Sequence, residues 1–166
     1  MIIVSCITQT YGLLFNNRRI SQDRAILKLI YNQFINFKKE HSNIKFYMND
    51  YSYSLFLFYL NNLESNLKYC EYNIFIKSII VSDSFLLEAE QYDFCFVENN
   101  DVLSFFDNNN VTGTIFYKWD KTYPCDYYLS LPIDFAQNFV LQTITEHIGH
   151  SHSTILEEIY KNEKNS

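Results

Sequence analysis

Phe94-Cys95-Phe96-Val97-Glu98-Asn99-Asn100-Asp101 sets a short apolar run against a polar turn, and Val102 to Phe106 beyond it reads as a helix. Four apolar residues bounded by turn formers fit a buried strand. Where a strand of an α/β protein passes straight into a helix N-terminus, free N–H groups and the positive end of the helix dipole form a cradle for phosphate. Such a cradle relies on glycine, which lets the backbone approach its ligand closely. This turn has two carboxylates and no glycine. The stretch has the layout of a nucleotide site and the wrong residues for one.

On its N-terminal side, strand and helix signals alternate. Ile2 to Ile7 reads as a buried strand, followed by a polar loop through Gly12 and Asn16-Asn17-Arg18-Arg19. Ser21 is the candidate cap of a helix whose apolar residues Ile26, Leu27, Ile30, Phe34 and Phe37 recur at helical spacing, ending near Lys38-Lys39. Ile44 to Met48 is a second strand, with Asn49 or Asp50 capping a helix through Leu55, Phe56, Tyr59 and Leu60. Ile74 to Val81 reads as a third strand, and Ser84 to Glu90 as a short helix leading to Phe94. Such alternation implies βαβ units and a mainly parallel sheet flanked by helices. After Thr114 to Trp119 the pattern changes. Phe139 to Glu146 partly alternates, as a strand with one buried face does, and with Thr154 to Tyr160 it reads as an antiparallel hairpin closing the sheet edge.

Composition bounds the rest. A chain of 166 residues fits a single α/β domain over residues 1–166, burying roughly 70% of its unfolded surface. Fourteen Tyr and fifteen Phe promise aromatic packing, and with only three Gly and two Pro many turns fall to Asn. A net charge of −6 argues against nucleic acid or an anionic membrane and favours a basic protein partner. The apolar start, Met1 to Ile7, is short and lacks a basic leader, so it reads as strand. Cys6, Cys70, Cys95 and Cys125 form no Cys-x-x-Cys pair and read as buried thiols of a reducing, cytoplasmic setting.

The order of motifs resembles the dihydrofolate reductase family. Ile2 to Ile7, the Gly12 loop and Ser21-Gln22-Asp23 look like its first strand, flexible loop and first helix with a single carboxylate. Met48-Asn49-Asp50-Tyr51-Ser52-Tyr53 is similar to its Met-Gly-Arg-x-Thr-Tyr, Ile79-Ile80-Val81-Ser82 to its strand ending Val-Leu-Ser, and Val97-Glu98-Asn99-Asn100 stands at its Val-Ile-Gly-Gly. Asp120, Asp126 and Pro132 follow the spacing of its next segment, and His150-Ser151-His152-Ser153 looks like its final hairpin.

The departures cluster where the resemblance implies NADPH. Asn49-Asp50 and Glu98-Asn99-Asn100-Asp101 replace phosphate-cradling turns, and Asp83 stands where the family places a basic residue. Each carboxylate near a multiply charged phosphate opposes binding by about 1 kcal/mol at surface dielectric. No cofactor is expected. Asp23 matches the family's pterin-facing acid, which needs a raised pKa to support protonation; its plainer reading is a carboxylate complementing the helix dipole. Tyr117 replaces the threonine that supports that acid, and Lys68 lacks the planar fork that would grip a folate tail. His150 and His152 could share a hairpin face near His147, but loop histidines account for them better than a metal. Arg18 and Arg19 read as solvated loop charges.

The expected role is therefore non-catalytic protein binding on a reductase-like scaffold, with Asp50, Asp83, Glu98 and Asp101 facing a basic partner. An immunity protein that neutralises a basic nuclease toxin is its concrete form. The alternative is an NADPH-dependent reductase of a pterin or related heterocycle, in which Asp23 is catalytic.

Overall fold

A computed structural model describes residues 1–63 and 69–165. Lys68 lies outside the described residues, as does the side chain of Cys70. In chain order the elements are β1 (Ile2–Ile7), β2 (Gly12–Phe15), β3 (Arg18–Arg19), α1 (Arg24–Glu40), β4 (Phe46–Met48), α2 (Asp50–Leu63), α3 (Tyr69–Ser78) and β5 (Ile79–Val81). There follow α4 (Phe85–Glu88), β6 (Phe94–Phe96), α5 (Leu103–Asp107), β7 (Gly113–Trp119), β8 (Tyr127–Tyr128), α6 (Phe135–Asn138), β9 (Phe139–His147) and β10 (Ile155–Asn162). The seven-stranded sheet runs β5-β4-β6-β1-β7-β10-β9. Its first four pairings are parallel, and β10 then pairs antiparallel with β7 and β9. The expected architecture, a mainly parallel sheet ending in an antiparallel hairpin, is the observed one.

Period-two alternation builds a core on each face of the sheet. Ile2, Val4, Phe94, Phe96, Ile115, Tyr117 and Trp119 face α1, whereas Ile3, Cys95, Val97 and Phe116 face Phe85, Phe106, Phe135 and Phe139. Both faces are covered, which is why the central strands are mostly apolar, and the buried Lys118 of β7 is paired with Glu158 at 2.8 Å. Under α1, Phe34 packs against Phe46, Phe75 and Phe94 at centroid distances of 5.4 to 5.6 Å.

Several local expectations are corrected. The stretch Ile74 to Val81 is strand only from Ile79; the rest is α3, because Tyr72, Phe75, Ile76 and Ile79 lie at helical spacing and pack on the α1-side core. The polar loop after Gly12 is a β2–β3 hairpin, closed by Asn16 and Asn17 at φ 49 and 58, as a tight two-residue turn requires. Tyr127–Tyr128 pairs with β2 in a small second sheet. α1 is capped by Asp23 and not by Ser21. Beyond Phe139, no residue of β9 is buried, so this edge strand has no buried face. Cys95 is buried, but Cys6 and Cys125 are only partly so.

Candidate functional site

Parallel pairing of β5, β4 and β6 brings the turns that follow them into a row along one end of the sheet, neighbouring strands being about 4.8 Å apart. Ligands of open α/β sheets bind at this end. Here side chains of the protein itself occupy the turns. Asn49 Nδ2 donates to Asn99 Oδ1 and to Asn100 Oδ1, both at 2.8 Å, tying the β4 turn to the β6 turn. Its Oδ1 accepts from Ser52 N at 3.1 Å and so uses a donor of the α2 N-terminus. In the β5 turn, Ser82 and Ser84 donate their hydroxyls to Glu88, holding its carboxyl below the usual range.

Glu98 is the largest departure from the expectation of an open acidic face. It is 6% exposed, and Arg19 grips it through Nε at 2.6 Å and a second guanidinium nitrogen at 2.9 Å. The same guanidinium lies 4.1 Å from the Tyr51 ring centroid and donates to the Tyr51 carbonyl. Arg19 is therefore not a solvated loop charge. It joins the β2–β3 hairpin to the first turn of α2 and to the β6 turn, in the two-pronged geometry open to arginine alone. Burial pushes the nearby Cys6 thiol well up, Glu98 adding to the shift and Arg19 opposing it. Asp50, Asp83 and Asp101 remain exposed on the same end of the sheet, although Asp101 also accepts from Leu103 N at 3.0 Å.

Asp23 is placed where the resemblance implies the acid, at the N-terminus of α1, but its surroundings suit a permanent anion. It is 5% exposed and accepts from the N–H groups of Ala25 (2.8 Å), His150 (2.9 Å), Ser151 (2.7 Å) and His152 (3.1 Å). The Ser151 hydroxyl at 3.0 Å and His152 Nδ1 at 3.2 Å complete the shell. Burial alone would raise this carboxyl; the donors, His150 N first, outweigh it and hold the group well below the usual carboxylate range. The shift is opposite to the one a proton-donating acid requires. Tyr117 does not reach Asp23. It points into the α1-side core, where burial raises its phenol strongly and Glu157 adds to the rise.

The histidines separate. His147 Nε2 meets Glu157 at 3.0 Å, His150 is exposed, and His152 is 4% exposed against Trp119. Among the described residues, no three His, Cys, Asp or Glu side chains are grouped to hold a metal ion. No helix of the described chain is long and apolar enough to cross a membrane.

The strand order and the parallel core with its antiparallel terminal hairpin are those of a dihydrofolate reductase-like fold. The chain is similar to dihydrofolate reductase from Enterococcus faecalis, solved in complex with NADP(H) and RAB-propyl, with a TM-score of 0.54 over 98% of this chain and 96% of that one. Sequence identity is 7%, so the likeness is one of fold. No protein-family model and no curated protein sequence matches the chain.

Proposed function

We propose that this chain uses a reductase-like scaffold to bind a protein and does not transfer hydride from a nicotinamide cofactor. The observation that carries the reading is the closed end of the sheet, where Asn49, Asn99 and Asn100 bond to one another and Arg19 holds Glu98. A dinucleotide would have to displace those contacts and then face Asp50, Asp83 and Asp101. A strapped, ionised Asp23 supports the same reading, since reduction of a pterin needs a proton donor. The exposed carboxylates suit a basic partner, and an immunity protein that neutralises a basic nuclease is the form we favour. Glu98 is not part of that face, because its carboxylate is committed to Arg19.

The test is retention on an immobilised basic ribonuclease at low salt. Asp50→Asn, Asp83→Asn and Asp101→Asn combined should lower affinity by at least tenfold and flatten its salt dependence, with the melting midpoint almost unchanged. Equal affinity of the triple variant and the parent would overturn the assigned face.

A further inference from the structure

Ser21, His152 and Asp23 form a hydrogen-bonded chain that partner binding leaves unused. Asp23 Oδ2 lies 3.2 Å from His152 Nδ1, and His152 Nε2 lies 3.0 Å from Ser21 Oγ. The ionised Asp23 can only accept, so Nδ1 carries the ring proton and the lone pair of Nε2 faces the serine hydroxyl. Tyr123 OH lies 2.9 Å from the same nitrogen and accepts from Ser21 Oγ at 3.2 Å, so the serine hydroxyl faces both groups. The imidazole is fixed in this pose. It stacks on Trp119 at 4.5 Å and 28°, and its own backbone N–H is tied to Asp23.

The cluster borders open space through Tyr123. Ser21 is only partly buried, and the residue before it, Ile20, lines a cleft of about 570 Å³ with Phe15, Arg18, Tyr123 and Pro124. Arg18 is exposed on β3 and has no ion pair among the described residues. Asn16 and Arg19 line the cleft as well, so polar and apolar groups share its wall, and the unpaired Arg18 suits the anionic end of a small molecule.

We propose that Ser21 is an acyl-accepting nucleophile with His152 as its general base and Asp23 as the group that orients the ring, acting on small carboxylic esters whose acyl part carries an anion paired by Arg18. The nucleophile–base distance of 3.0 Å and the base–carboxylate distance of 3.2 Å are those such a relay requires. Ser21 Oγ bonds to the ester carbonyl carbon as its proton passes to Nε2. Collapse of the tetrahedral adduct breaks the bond to the alkoxy oxygen, which takes that proton and leaves as the alcohol. Water then adds to the acyl-serine by the same relay, releasing the carboxylic acid and restoring Ser21.

The experiment mixes the full chain with p-nitrophenyl acetate and with the mono-p-nitrophenyl ester of succinic acid, following nitrophenolate release and mapping the acyl group by peptide mass spectrometry. Expected are a burst near one equivalent, acylation of Ser21, and faster reaction with the succinyl ester. Ser21→Ala should abolish burst and adduct, Ser21→Cys should restore an adduct, and His152→Asn should slow acylation by about a hundredfold or more. Arg18→Ala should remove the preference for the succinyl ester. Absence of an acyl group on Ser21 in the folded parent, or an undiminished burst in Ser21→Ala, overturns the proposal. Should Ser21→Ala fail to fold, the peptide map of the parent decides alone.

Discussion

Asp23→Ala removes an anion around which four backbone N–H groups, a hydroxyl and an imidazole converge. Three of those N–H groups belong to residues 150–152, in the loop between β9 and β10, so the carboxylate fastens that loop to the start of α1. A hydrogen bond to a charged group contributes about 1.5–3 kcal/mol, but bonds sharing one carboxylate do not add. Emptying a buried charged network costs about 3–5 kcal/mol, and at roughly 2–4 °C per kcal/mol for a chain of this size the midpoint should fall by about 10 °C. Urea unfolding followed by fluorescence reads this directly, because Trp119 is the single tryptophan and stacks on His152. The gap between parent and variant also has a predicted pH dependence. The folded carboxyl titrates below its unfolded value of about 3.9, so its stabilisation is fully present above that pH and is lost as pH falls further. A loss under about 1 kcal/mol at pH 7, or a gap that widens on acidification, would refute the argument that Asp23 is a structural anion.

The Arg19–Glu98 pair should behave as one unit: Arg19→Met and Glu98→Gln each cost about 3 kcal/mol, while the double variant costs clearly less than the sum, as a denaturation cycle would reveal. Gly149→Ala should lower stability by about 1–3 kcal/mol, because the added Cβ would sit 2.7 Å from both Asp23 Oδ2 and the His152 carbonyl oxygen, with the Ile155 side chain at 3.0 Å. Phe34→Ala, which opens a hole among Phe46, Phe75 and Phe94, should cost about 3–5 kcal/mol in the same urea assay.

What the sequence made legible follows from how local each signal is. Ile2 to Ile7 and Thr114 to Trp119 are recognisable strands because a central parallel strand is apolar on both faces, and that needs no knowledge of neighbours. The alternation of such runs with amphipathic helices is enough for a mainly parallel α/β sheet, and the likeness to reductases comes from the order of the motifs. α3 was obscured because Ile74, Phe75 and Ile76 carry strand propensity, and the choice between helix and strand was made by packing of Phe75 beneath α1. At the site, the absence of glycine from the turns is plain in the sequence, whereas the use of Glu98 is not: its partner Arg19 stands 79 positions away. Ser21 and Asp23 stand two positions apart. Both are good helix caps, and only the loop at His150 to His152 brings enough donors to claim the carboxylate for the cap and leave the serine to His152. Exposure of β9 was hidden for a similar reason, since its partly alternating residues describe a pleat and not what covers it.

Whether the end of the sheet is closed to a dinucleotide is read by a thermal melt with and without millimolar NADPH. A ligand at 100 times its dissociation constant adds about 2.7 kcal/mol, which would raise the midpoint by roughly 5–10 °C. No shift is expected, with Arg19 keeping its bonds to Glu98 and Asn49 its bonds to Asn99 and Asn100. A rise of several degrees would contradict it and place a nicotinamide cofactor where Glu98 and Asn99 now close the turn.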